Sequence, residues 1–417
     1  MNSRQRFKAS LEHKDPGKIV VDFSSTGVTG MHVLAIKNLR TYYSLPEKLV
    51  KVTEPYQMLG EIDQDLRDII GIDVIGIFSR NNMFGFENTD WKEFRTFWGQ
   101  DVLVPAGFKT IYDKNGDLLI YPEGDTSVPP SAKMPKASYF FDTIIRQKPL
   151  DESKLDPEDN LEEFKLLSQV DIEHWKKAIK SIENSDKGIM ATLGGTALGD
   201  IALVPGPFMK NPKGIRDVSE WYMSTLTRQD YVHNIYRKQT EIALKNLETF
   251  HGIAGDAIDV IYMCGTDFGT QDSLFCDPGT FDTLYAPYYR VMNEWVHKNT
   301  KWKTFKHSCG AVEPLLRSFI DAGFDIINPV QINASRMDPQ MLKDNYGDKI
   351  VFWGGGVDTQ KILPYGSPQE VREQVLRQCD ILGKNGGFVF NTVHNVQSNI
   401  PVKNLVAMID ALHEVNK

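Results

Sequence analysis

The stretch "KTFKHSCGAVEPLLRSFIDAGFDIINPVQ" (303–331) decides how the whole chain is read. It opens on a short run, KTFKHSCG (303–310), and closes on another, FDIINPVQ (324–331). Between them lies VEPLLRSFIDAG (312–323), with Leu315, Phe319 and Ile320 along one helical stripe and Gly323 placed as a helix stop. Strand, helix and strand in succession form the unit of a parallel sheet. Six further runs match the two strands: KIVVDF (18–23), IDVIGIF (72–78), GIMATLGG (188–195), IDVIYMCGTD (258–267), KIVFWGGG (349–356) and GGFVFNTVHN (386–395). Short Val-, Ile- and Phe-rich runs of this kind are strands buried on both faces. DPQMLKDNYG (338–347), SPQEVREQVLRQCDILG (367–383) and PVKNLVAMIDALHEV (401–415) supply helices, the second opening on Ser-Pro and closing at Gly383. Eight strands with helices between them predict an α/β fold, a (β/α)8 TIM barrel spanning 1–417 as one domain.

Residues 80–187 interrupt the pattern after the second strand. WGQDVLVP and KTIYDKNGDLLIYPEG read as β-structure, the latter a hairpin about Asn115-Gly116. DTSVPPSAKMPKAS reads as loop, and LDPEDNLEEFKLLSQVDIEHWKKAIKSI as an acidic helical stretch. The segment is predicted to be an inserted α+β unit covering the barrel mouth.

Composition narrows the function. A formal charge of -8 and a pI near 5.7 leave no basic footprint for nucleic acid. No run approaches the ~20 apolar residues of a membrane span. The polar start MNSRQRFKASLEHKD lacks the apolar core of a signal peptide. Four cysteines, Cys264, Cys276, Cys309 and Cys379, form no disulfide framework, which points to reduced thiols and a cytoplasmic location.

In a barrel the C-terminal strand ends face one mouth. Those ends carry Asp22, Asp267, His307, Cys309, Asn328, Gln331, Asp358, Asn391 and His394. His307 and Cys309 stand two apart on one strand, so their side chains share a face. Imidazole and thiolate are preferred zinc donors, and His394, at the end of the last strand, is the third candidate ligand. A cysteine nucleophile with a histidine base is the other chemical reading, but parallel side chains suit a shared metal better. Simple packing of a buried cysteine is the bland alternative. Asp267, in CGTDFGTQDSLFCDPGTF (264–281), is placed to ligate metal, orient a ligand histidine, contact substrate or merely form a turn. Asp267 and Gln331 are the candidate catalytic residues. WGGGVDTQ (353–360) is a Gly-rich strand exit that either lets the backbone approach a ligand closely or makes a tight turn, and DFSSTGVTGMH (22–32) is one that either holds polar groups of a ligand or caps the next helix. Asp22, Gly355, Asp358 and Asn391 are the candidate cofactor-binding positions.

Together, "HSCGAVEPLLRSFIDAGFDIINPVQ", "GGVDTQKILPYGSPQEVREQV", "GGFVFNTVHNVQSNIPVKNLVAMIDA" and "LYAPYYRVMNEWVH" (284–297) resemble the uroporphyrinogen decarboxylase superfamily. The resemblance covers most of 188–417 and, more weakly, 1–80, and it implies a (β/α)8 barrel. Decarboxylases of that family bind substrate carboxylates through an arginine-rich N-terminal stretch, whereas GKIVVDFSSTGVTGMHV (17–33) contains no arginine. The corrinoid-dependent methyltransferase branch holds zinc through a His-x-Cys pair and a later cysteine. His307 and Cys309 match the pair, and His394 stands where the later cysteine is expected. The resemblance therefore implies a zinc-dependent methyltransferase acting between a corrinoid and a small-molecule thiol or methoxy compound. No corrinoid signature D-x-H-x-x-G is present, so the cobamide is expected on a separate partner protein. Related barrels imply a homodimer. The rivals are a metal-free decarboxylase, for which Arg80, Lys210 and Lys306 are the available cations, and a non-catalytic barrel that binds a tetrapyrrole or other small ligand.

Overall fold

The computed structural model describes residues 1–417. All eight runs form strands: β1 (Val20–Val21), β2 (Val74–Phe78), β3 (Gly188–Thr192), β4 (Val260–Cys264), β5 (Lys303–His307), β6 (Ile326–Asn328), β7 (Val351–Trp353) and β8 (Phe388–Phe390). They lie in one parallel sheet in the order β1, β8, β7, β6, β5, β4, β3, β2. The sheet curls until its ends meet. There the Asp73 N–H donates to the Val21 carbonyl at 2.8 Å, and the Val21 N–H donates to the Asp73 carboxylate at 3.1 Å. This is a TIM barrel in which one side chain helps to join the seam.

Strand alternation sorts the interior into layers. Val20, Val74, Met190, Val260, Phe305, Ile326, Val351, Trp353 and Val389 form one apolar core cluster inside the barrel. The N-terminal helix Ser3–Leu11 closes that end, adding Phe7 and Leu11 to the cluster, with Phe7 edge-on to Trp353 at 5.5 Å. Two residues further along the same strands stand Asp22, Thr192, Tyr262, His307, Asn328 and Asn391. The barrel is thus apolar at its base and polar towards its mouth.

The expected helices form over Glu313–Asp321, Pro339–Tyr346, Pro368–Leu382 and Val402–Val415. Gly323 takes φ +88, as a left-handed helix stop requires. Gly383 does not, at φ -74. Its role is close packing, since an added Cβ would lie 2.4 Å from Ile19.

The expected hairpin forms in the stretch between β2 and β3: Thr110–Tyr112 pairs with Leu118–Ile120 about the turn Asp113–Asp117, which contains Asn115-Gly116. Asp113 shapes that turn, because its carboxylate accepts the Asn115 and Asp117 N–H groups and Gly116 supplies φ +81. Two other parts of the stretch depart from expectation. Ala132–Met134, read as loop, is a strand paired to that hairpin. The acidic stretch is helical only over Gln169–Ser181, where a Ser168–Asp171 capping box starts the helix. Upstream, Asp151 and Asp156 cap short 3₁₀ turns instead. A second sheet joins Lys92–Arg95 and Asp101–Val104 to Val50–Glu54 and Leu59–Gly60. Its 50–60 hairpin precedes the interruption, and its turn reaches the mouth, where Gln57 accepts a hydrogen bond from Asn395 at 2.7 Å.

Candidate metal centre

His307 ends β5, Cys309 follows in its exit loop, and His394 comes from the exit of β8. The barrel brings these three exits together. One potential ligand atom from each residue lies within 4.8 Å of the others. His307 Nε2 and Cys309 Sγ are 3.4 Å apart, and the two imidazole centroids 5.6 Å. For tetrahedral zinc with ordinary Zn–N and Zn–S bonds, nitrogen and sulfur stand roughly 3.6 Å apart. The donor set and its spacing therefore fit zinc.

The surrounding residues aim these donors. Asn328, the register partner of His307 on the adjacent strand β6, donates through Nδ2 to the Trp353 carbonyl at 2.9 Å. That leaves its Oδ1 to accept from His307 Nδ1 at 2.6 Å. The proton is thereby held on Nδ1, and the Nε2 lone pair is turned to Cys309. Asp267 accepts the Cys309 N–H at 2.7 Å, and the same carboxylate oxygen lies 3.6 Å from His307 Nε2. Burial pushes the His307 pKa down to about 4 and lowers that of His394, so both rings are neutral near pH 7. Burial, and then the charge of Asp267, pushes the Cys309 thiol upward. A metal would reverse that preference by taking the thiolate.

A family model for uroporphyrinogen decarboxylase (URO-D) matches residues 148–415. The chain belongs to the uroporphyrinogen decarboxylase family. Curated uroporphyrinogen decarboxylases from Psychromonas ingrahamii and Alkalilimnicola ehrlichii are 30% and 32% identical over 80 and 74 residues. Those matches cover 19% and 18% of this chain and span about a fifth of the relatives' length, 22% and 20%. A solved structure of a methyltransferase from Methanosarcina mazei aligns over 99% of both chains with a TM-score of 0.53 and 13% identity, a likeness of fold.

Within this member of the uroporphyrinogen decarboxylase family the other singled-out residues take distinct places. Gln331 accepts the Gly310 N–H at 2.7 Å and donates to Gln271 at 3.0 Å. Asp358 accepts from Asn333 at 3.0 Å and from the Gln360 N–H at 2.7 Å, while Gln360 reaches Gln271 at 3.4 Å. Gln331 and Asp358 thus lace the exit loops of β4, β5, β6 and β7 to one another. The Asp22 carboxylate is taken up by the Ser24 and Ser25 N–H groups, the Ser25 hydroxyl and the Trp353 indole N–H. Asn391 donates to the Asp22 and Thr29 carbonyls, and its buried Oδ1 has no partner. Gly355, at φ +79, presses on the chain itself: a Cβ there would meet the Val330 carbonyl at 2.7 Å. The tight-turn alternative holds for that glycine, while Asp22 and Asn391 lie side by side through the hydrogen bond from Asn391 to the Asp22 carbonyl.

Two polar residues, Tyr262 and Asp200, escaped sequence reasoning, and a third, Lys306, is singled out there only as a cation for substrate carboxylates. Fully buried Lys306 donates to the Thr266 and His307 carbonyls, both at 2.6 Å, and so staples β5 to the loop bearing Asp267. Tyr262 stands inside the barrel on β4. Asp200 lies in the exit loop of β3, within GGTALGDIAL (194–203). Its only local signal is one acid in a Gly-rich strand exit, and Tyr262 and Lys306 sit in strand runs that read as core.

Proposed function

We propose that this chain is a zinc-dependent methyltransferase moving a methyl group between a corrinoid, carried on a separate protein, and a small-molecule thiol or methoxy compound. The observation that carries the reading is the His307, Cys309 and His394 cluster at the barrel mouth, with donor atoms within 4.8 Å. Zinc held there would act as a Lewis acid towards a thiol sulfur or a methoxy oxygen. Asn328 keeps the His307 lone pair directed at the cluster, and Asp267 anchors the Cys309 backbone. With a thiol acceptor, the sulfur pair forms the S–CH3 bond and the cobalt–carbon bond breaks with its pair left on cobalt. With a methoxy donor, the cobalt pair forms the Co–CH3 bond and the C–O pair stays on oxygen, which gains a proton.

Metal-free decarboxylation of a carboxylated substrate needs free cations at the mouth. Arg80 pairs with Glu87 at 2.7 Å and Asp171 at 3.0 Å, and Lys210 with Glu123 at 3.1 Å and Asp125 at 3.0 Å. Lys306 is spent on carbonyls beneath the surface. These pairings favour the methyltransferase reading. The test is metal analysis of protein purified without chelator, followed by methyl transfer from methylcobalamin to a thiol panel and from methoxy compounds to cob(I)alamin. Stoichiometric zinc, lost together with transfer in Cys309→Ala and His394→Ala, is expected. Protein without zinc whose transfer survives Cys309→Ala would overturn the proposal.

A further inference from the structure

Whichever direction the methyl group moves, the substrate heteroatom must lose or gain a proton. The three proposed ligands of the cluster would be committed to the metal, and Asp267 Oδ1 anchors the Cys309 backbone N–H beside them. A second polar pair faces the same loop. An ideal Cβ on Gly265 would lie 2.5 Å from Asp200 Oδ2 and 2.6 Å from the Tyr262 hydroxyl. Both groups therefore converge on the bare backbone of Gly265, two residues before Asp267. The Asp200 carboxylate accepts one hydrogen bond, from the Ala202 N–H to Oδ1 at 3.0 Å. Its other oxygen is left for a proton. Behind it opens a cavity of about 200 Å³ walled by Phe164, Leu203, Phe208 and Trp221. The buried Trp221 indole N–H has no partner. The space suits the body of a small uncharged substrate with one hydrogen-bond acceptor.

We infer that Asp200, assisted by the Tyr262 hydroxyl, is the group that exchanges a proton with the substrate heteroatom; the inference rests on the methyltransferase reading. For a thiol, the S–H bond breaks, sulfur keeps the pair, and the proton passes to the Asp200 carboxylate. For a methoxy donor, the neutral Asp200 carboxyl gives its proton to the oxygen that has lost its methyl group. Burial raises the Asp200 pKa to about 6, with the Asp267 charge adding to the rise and Lys306 opposing it. A proton donor or acceptor poised near operating pH is what general catalysis needs. The other ionisable groups around Asp200 are Tyr262 on β4, Tyr222 on the helix Val218–Thr227, and the Arg216–Glu163 pair across the cavity.

The experiment uses zinc-loaded full-length protein, with 2-mercaptoethanol and methylcobalamin in one arm and anisole and cob(I)alamin in the other. Asp200→Asn is expected to slow transfer by about a hundredfold and to abolish the pH limb near 6, while Asp200→Glu restores part of both. Gly265→Ala, which displaces both groups without altering either, should slow transfer similarly. Zinc content should be unchanged in all three. A second readout does not depend on turnover: calorimetry of 2-mercaptoethanol binding in buffers of different ionisation enthalpy. Wild type should release less than one proton to buffer near pH 7, and Asp200→Asn close to one. Equal proton release, or an unchanged pH profile in Asp200→Asn, overturns the assignment. Transfer absent from every variant, with zinc bound and the proton count shifted as expected, would count against the methyltransferase reading and leave Asp200 in its role.

Discussion

At the scale of single residues, the proposed metal centre depends on groups that would not themselves touch the metal. Asn328 is the clearest. Without its Oδ1 the His307 ring loses the partner that holds the proton on Nδ1, so Asn328→Ala should weaken zinc affinity about 10- to 100-fold. Competition with a chromophoric chelator measures this, and affinity equal to wild type would remove Asn328 from the site. The three proposed ligands were legible in the sequence because a strand end, an i, i+2 spacing and two metal-preferring residue types are local facts. Asp200 was not legible. Its significance comes from Gly265 and Tyr262, some sixty residues on, and only the barrel places them side by side.

At the scale of elements, close approach and capping decide what is tolerated. Gly76, in the middle of β2, has the Ser25 carbonyl 2.2 Å and the Phe78 ring 2.8 Å from where a Cβ would sit. The exit loop of β1 rests on that bare backbone, so Gly76→Ala should cost about 2 kcal/mol or more, read from urea unfolding. The helix Val33–Tyr42 is capped by His32, whose Nδ1 accepts the Leu34 N–H at 3.1 Å and whose Nε2–H donates to the Tyr139 carbonyl at 3.0 Å. The cap needs the neutral ring, and burial lowers the His32 pKa from 6.5 to about 4. Between those values the unfolded chain binds more protons than the folded one. Stability should therefore fall as pH drops from 6.5 to 4, by on the order of 3 kcal/mol from this residue, and be level above. His32→Asn keeps a capping acceptor and should flatten that slope in melts at about pH 5 and pH 7.5. An unaltered slope would place the titration elsewhere.

At the scale of the whole molecule, closure of the barrel governs the site, because the proposed ligands sit on β5 and β8 exits. Its seam is thin. β1 has two residues, and the join to β2 is made by Asp73, which also binds Arg6 at 2.6 Å. Asp73→Ala removes the acceptor for a buried N–H and leaves Arg6 unpaired. A loss of about 3 kcal/mol is expected, seen as a lower Tm, with zinc affinity falling alongside. A lower Tm with zinc affinity intact would show that the mouth is held independently of the seam. The chain by itself determined the eight strands, their parallel arrangement and the later helices, because hydrophobic period, glycine stops and proline starts act over a few residues. It also singled out His307, Cys309 and His394 by type and position. Tertiary structure alone decided which strand-end residues point at one another. It sent Asp22 and Gly355 into internal packing, joined the 50–60 hairpin to the mouth, and set Asp200 beside Tyr262. The physical reason is that a side chain's role is set by the neighbours that closure brings to it, and those neighbours lie far away along the chain.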